Sequence, residues 1–197
     1  NVRRPVAASI EALGQVIERG RDREGFRLRV NIATVFDCPF EGRVAEDAVF
    51  RAIDAVLSFG CPVEFGLCDT TGRAFPDHVA GVCGGALERF GDSGSGWAFH
   101  GHDTFGLGVA NALFAYDAGI RVFDASVAGL GGCPFAPGAS GNTATEDLVF
   151  TFENMGVATG IDLAKLLDVA EAVAALPDAD TGGHVRVVPR NRVLAAA

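Results

Sequence analysis

Trp97-Ala98-Phe99-His100-Gly101-His102 decides the fold. Large apolar residues alternate here with small or polar ones, the period-2 pattern of a strand with one face against a hydrophobic layer. A helical stretch at residues 107–118 follows, then a second strand at 122–128. Strand, helix and strand in this order mark parallel strands joined by a crossover helix. The same rhythm extends outward. Residues 5–19 read as a helix, with Ile10, Leu13, Val16 and Ile17 at helical spacing. A strand at 26–36, a helix at 44–59, a strand at 63–68 and a helix at 76–90 come next. Beyond residue 142, helices are expected at 144–154 and 163–176, the first opened by a Thr143-x-x-Glu146 capping box.

The expected fold is therefore α/β. Four strands with their helices are half of a (β/α)8 TIM barrel, and the polar candidates sit just after the strands, where such barrels place their chemistry. A doubly wound open sheet uses the same strand ends and is the alternative. Half a barrel leaves two long parallel edges exposed, so the chain is expected to hold strands five to eight. Residues 1–176 would then be the C-terminal part of one barrel domain and residues 177–197 an irregular tail.

The 197-residue chain is long enough to bury one sizeable core, and 49% of it is hydrophobic, as in a globular protein. No apolar run approaches the ~18 residues of a membrane span. A formal charge of -9 argues against a nucleic-acid surface. An anionic substrate would need a local positive site, a metal or a few arginines. The five cysteines are odd in number and lack C-x-x-C spacing, which fits reduced thiols and a cytoplasmic compartment better than a disulfide framework. Asn1 rather than Met opens the sequence, so a targeting signal cannot be judged from it.

The chemistry-bearing residues cluster in under fifty positions. His100 and His102, at i and i+2 of a strand, project from the same face and set two imidazoles side by side, as a divalent metal needs. A strand histidine is more often a satisfied core or surface residue; the pairing, with Asp103 beside it to orient a ring, favours ligation. The glycine loop 129–141 lacks the Lys-Ser/Thr ending of a phosphate-binding P-loop. It carries Cys133, either a small buried residue or a reactive thiol, and ends at the amide of Asn142. Asp69 closes a strand, as a turn residue or a functional acid. Cys38, Cys61, Cys68 and Cys83 read as structural.

Three segments carry a resemblance: His100-x-His102-Asp103-Thr104-Phe105-Gly106, Ser126-Val127-Ala128-Gly129-Leu130-Gly131-Gly132-Cys133-Pro134-Phe135-Ala136, and Gly138-Ala139-Ser140-Gly141-Asn142-x-Ala144-Thr145-Glu146-Asp147. Together they resemble the hydroxymethylglutaryl-CoA lyase family over about residues 27–167. The resemblance implies a (β/α)8 barrel and a metal-dependent carbon–carbon lyase, with Mg²⁺ or Mn²⁺ held by His100, His102 and Asn142. It makes Cys133 and Asp69 catalytic and gives Arg29 and Asn31 to the substrate. The family's first-strand aspartate ligand, preceded by an arginine and followed by glycine, has no counterpart, since no Asp-Gly occurs here. Asn31 stands where the lyases carry tyrosine, Gly66 where they carry serine and Leu107 where they carry glutamine. The implied partner is an acyl-CoA thioester, in a homo-oligomer expected to be a dimer, with neither nucleic acid nor membrane. A Claisen-type condensing enzyme of the same superfamily, or a truncated non-catalytic relative serving oligomerisation, are the alternatives.

Overall fold

A computed structural model describes residues 4–132 and 141–195. Its centre is a four-stranded sheet of β1 (Arg29–Ile32), β4 (Glu64–Asp69), β5 (Gly96–Gly101) and β6 (Val122–Asp124), in the order β1-β4-β5-β6. Every pairing in it is parallel. Helices connect the strands: α2 (Glu46–Leu57) follows β1, α3 (Pro76–Phe90) follows β4 and α4 (Gly108–Asp117) follows β5. The chain enters through α1 (Val6–Gly20) and leaves β6 through α5 (Thr145–Asn154) and α6 (Leu163–Ala174). The α/β reading and its parallel sheet therefore stand.

Register explains the two faces. Val30, Phe65, Trp97 and Ile32, Leu67, Phe99, Phe123 fall in rows across the strands and pack with the helices into the main core. Phe65 stacks on Trp97 with ring centroids 5.1 Å apart. Each fully buried Phe or Leu of this layer stabilises the fold by roughly 1.5–3 kcal/mol. The alternate residues, Arg29, Asn31, Glu64, Gly66, Cys68, Ala98, His100 and Asp124, occupy the opposite face.

Several elements differ from the sequence expectation. The first strand covers four residues rather than 26–36, because Thr34 turns the chain with φ +53° and its N–H donates to Thr70 Oγ1. A short antiparallel hairpin of β2 (Asp37–Cys38) and β3 (Gly42–Arg43) follows, turning through Gly42 at φ +78°. The last strand stops at Asp124 because Val127–Gly129 winds into a 3-10 turn with Ala128 at φ +57°. The capping box is absent. Thr143 Oγ1 instead donates to the Gly101 carbonyl at 3.0 Å, and buried Glu146 accepts the Ala128 N–H at 3.0 Å. Both side chains are thus drawn inward, Thr143 to the end of β5 and Glu146 to the 3-10 turn after β6, and Ala144 caps α5 without a side-chain bond.

Nor is the tail irregular throughout. It holds a 3-10 turn at Val185–Val187 and α7 (Arg190–Leu194). Val185 and Val193 join Val149, Leu163, Leu166 and Leu167 in a second apolar cluster. Asp147 staples the tail in place, accepting backbone N–H bonds from His184 and Val185 at 2.8 Å each.

Candidate active site

Of the candidate residues, Asp69 closes β4, His100 and His102 lie at the end of β5 with Asn142 bridged to His102, and Arg29 opens β1. At the end of β5 the rings of His100 and His102 lie side by side, with centroids 5.3 Å apart. An isolated antiparallel bridge joins His102 to Asn142, and the Asp103 N–H donates to the Gly141 carbonyl at 3.1 Å. The return from the glycine loop is thereby fixed against the histidine strand. Asn142 Nδ2 donates to the carbonyls of Leu130 and Gly131 at 2.9 and 3.2 Å, which turns Oδ1 the other way.

Burial sets the charge state of the pair. His102 is only 6% exposed, and desolvation, aided by neighbouring His100, lowers its pKa to about 4. It is neutral near pH 7, the form that coordinates a metal. Its Nδ1 is buried without a hydrogen-bond partner among the described residues. An orphaned neutral imidazole nitrogen, a second ring beside it and an amide oxygen are a fitting donor set for a divalent cation, hard enough for Mg²⁺ or Mn²⁺. Among the described residues no group of three or more His, Cys, Asp or Glu is placed to hold a metal, so further ligands would come from elsewhere.

Asp69 closes β4 at 1% exposure. One oxygen accepts the Ala74 N–H at 3.2 Å, while the other is buried without a hydrogen bond. Desolvation raises its pKa to about 6, against the pull of the backbone N–H groups of Ala74, Arg73 and Gly72. Asp103 gives Oδ1 to the N–H of Gly108, 2.7 Å away, and so anchors the start of α4. Cys133 lies outside the described residues.

Arg29 reaches across the sheet from the edge strand. Its Nε donates to Asn31 Oδ1 at 3.1 Å, Nη1 lies 3.1 Å from Glu64 Oε1, and Nη2 pairs with Asp124 on β6. Gly66 makes the crossing possible, because a Cβ there would fall 2.2 Å from Asn31 Oδ1 and 3.3 Å from Arg29 Nη2. Sequence reasoning missed two contributors. Asp124 is one, lying in register with His100 with Oδ2 3.5 Å from its Nδ1. The neighbouring His100 ring and the Arg29 guanidinium hold its carboxyl below the usual range, against burial. The other is the tail. Gly182 donates to the Ala128 carbonyl at 2.8 Å. A cavity of about 290 Å³ beside Asn142 is lined by Gly182, Gly183 and His184 together with Asp103. Alternation could have marked Asp124 as facing away from Phe123; its alignment with His100 needs the register.

The profile of the HMGL-like family matches residues 3–173. The chain belongs to the HMGL-like family. It is 41% identical over 171 residues to the hydroxymethylglutaryl-CoA lyase of Bacillus subtilis (strain 168), covering 87% of this chain and 56% of that protein. It is 43% identical over 153 residues to the (R)-citramalyl-CoA lyase of Chloroflexus aurantiacus, covering 78% of this chain and 47% of that protein. Among solved structures, an HMG-CoA lyase from Acinetobacter baumannii in complex with coenzyme A and 3-methylmalate superposes with a TM-score of 0.87 at 39% identity, over 97% of this chain and 61% of the other. The chain spans about half the length of the curated relatives it matches.

Proposed function

We propose that the full-length protein is a divalent-metal-dependent carbon–carbon lyase that cleaves hydroxymethylglutaryl-CoA or a related 3-hydroxyacyl-CoA to acetyl-CoA and an oxo-acid. This chain supplies strands five to eight of its (β/α)8 barrel. The observation that carries the reading is the pair of adjacent imidazoles at the end of β5, tied by backbone to Asn142, in a chain of the HMGL-like family. The polar face of the sheet and its edges at β1 and β6 among the described residues support the barrel assignment, because closure removes both edges.

His100, His102 and Asn142 would hold the cation, which supplies charge stabilisation and a template for the hydroxyl and carbonyl oxygens of the substrate. The protein's own groups then divide the proton work. The resemblance gives the hydroxyl proton to Asp69, which closes β4 beside the strand of His100 and whose carboxyl pKa is raised by burial to about 6. Loss of that proton lets the carbon–carbon bond break, leaving a ketone on one product and a thioester enolate on the other. Cys133 donates a proton to the enolate carbon. Arg29, held on three sides, presents its remaining N–H donors to the developing enolate oxygen or a substrate carboxylate.

Asn31 and Gly66 replace a tyrosine and a serine of the lyases, removing bulk and hydroxyls from the wall beside Arg29. The favoured substrate accordingly carries a larger or more polar group at its hydroxylated carbon than hydroxymethylglutaryl-CoA does. We place the protein in the cytoplasm as a homodimer; among the described residues no helix is long and apolar enough to cross a membrane. Assay of the full-length protein against a panel of 3-hydroxyacyl-CoA thioesters, with and without Mg²⁺ or Mn²⁺, tests the reading. Metal-dependent acetyl-CoA release supports it, and accumulation of a condensation product from acetyl-CoA and an oxo-acid would favour the condensing enzyme instead.

A further inference from the structure

We infer that Asp124 is a positioning residue that fixes the His100 ring and the Arg29 guanidinium with one carboxylate. The inference rests on the lyase reading only for what the two groups do; the geometry stands without it. Asp124 is the last residue of β6, paired in register with His100, and both lie on the polar face of the sheet. Its Oδ2 lies 3.5 Å from His100 Nδ1 and also accepts from Arg29 Nη2. The first contact is long for a hydrogen bond, as such bonds often are before a ligand tightens the site.

Chemistry gives each contact a consequence. A neutral imidazole has one N–H and one lone pair. A carboxylate at Nδ1 selects the Nδ1–H tautomer, which leaves the Nε2 lone pair as the donor toward a metal and stops the ring from rotating. On the other side, Arg29 has five N–H donors. Asn31 takes the Nε–H and Asp124 one N–H of Nη2, and Glu64 is ion-paired with Nη1, so among the described residues N–H donors remain on the terminal nitrogens for a ligand. Glu64 and Asn31 hold Arg29 from its own side of the sheet. Among the described residues Asp124 alone draws it across the sheet toward β6, and so sets the distance between the guanidinium and the histidines.

Two variants of the full-length protein separate these roles. Asp124→Ala removes both contacts. Asp124→Asn keeps an oxygen that accepts from Nδ1–H and loses the charge that holds Arg29. Nitrogen-15 NMR of the metal-free protein, with the His100 signals assigned through a His100→Gln variant, is expected to show the Nδ1–H tautomer in wild type and Asp124→Asn and a tautomer mixture in Asp124→Ala. Mn²⁺ affinity without substrate, read by electron paramagnetic resonance, should fall about 10–100-fold in Asp124→Ala and by much less in Asp124→Asn. With substrate, Asp124→Asn should raise KM more than it lowers kcat. Should Asp124→Ala fail to fold, the isosteric Asp124→Asn carries the test through the tautomer and the KM shift. An Nε2–H tautomer in wild type, or Asp124→Asn with both constants within twofold of wild type, would overturn the inference. Absence of thioester cleavage by wild type would defeat the lyase reading and leave the tautomer and Mn²⁺ results to decide the role of Asp124.

Discussion

Replacing Asp69 by Asn should stabilise the protein above neutrality and destabilise it in acid. Asp69 is buried, with one oxygen bonded to the Ala74 N–H and the other without a partner, and its pKa is about 6 against an ordinary 3.8. The folded state binds the proton more tightly than the unfolded chain, so stability falls as pH rises from about 4 to about 6. Roughly two pKa units at ~1.36 kcal/mol each amount to a penalty of about 3 kcal/mol, fully present above pH ~6 and absent below pH ~4. Asn cannot ionise, but it puts an NH₂ where the unpartnered oxygen lies, at a cost of ~1–3 kcal/mol. The variant should therefore be about 0–2 kcal/mol more stable than wild type at pH 8 and about 1–3 kcal/mol less stable at pH 4. Urea unfolding of the metal-free full-length protein from pH 4 to 8 measures this, and the wild-type-minus-variant difference isolates Asp69 from the other titrating groups. Parallel stability curves would refute the reasoning. A gain in stability with a large loss of turnover is the pattern of a residue kept for chemistry.

Three further outcomes are expected. Cys133→Ser should lose most turnover while Mn²⁺ affinity and unfolding midpoint stay near wild type, and Cys133 should be alkylated faster than Cys83, whose buried thiol is pushed up to about 12. Phe99→Ala, made at a side chain 1% exposed and packed edge-on against Phe36, should cost about 3–5 kcal/mol in chemical denaturation. Gly66→Ser should displace the Asn31 amide from Arg29 Nε, because the added Cβ would sit 2.2 Å from Asn31 Oδ1. Stability should change by less than about 1 kcal/mol, since Asn31 is exposed, while the ratio of kcat/KM between hydroxymethylglutaryl-CoA and the best substrate moves toward the former.

Much of this arrangement is legible in the sequence, and the remainder has physical causes. Alternation in Trp97-Ala98-Phe99-His100 assigns a core face and a polar face, because each side chain has only two directions to take in a strand. Helices α2, α3 and α4 follow from apolar spacing. The first strand is shorter than its apolar run, since Thr34 turns the chain at an edge that only one neighbour holds. The capping box fails because Thr143 bonds the end of β5 and Glu146 the 3-10 turn after β6, partners distant in sequence. The histidine pair could be read from local spacing. Asp124 could not, since its meeting with Arg29, 95 residues away, depends on the register of four strands. His184 and the tail came to the site through Asp147, a buried carboxylate with no local pattern to announce it.

Metal-dependent cleavage of a 3-hydroxyacyl-CoA is the activity proposed for the full-length protein. The most direct test incubates the full-length protein, Mg²⁺ and each of hydroxymethylglutaryl-CoA and citramalyl-CoA, and follows the thioesters by mass spectrometry. At least one should be converted to acetyl-CoA and its oxo-acid, chelation should stop the conversion, and His102→Ala should lower it by orders of magnitude. Metal-independent conversion, or no acetyl-CoA from either thioester at saturating Mg²⁺ and Mn²⁺, would contradict the proposed activity.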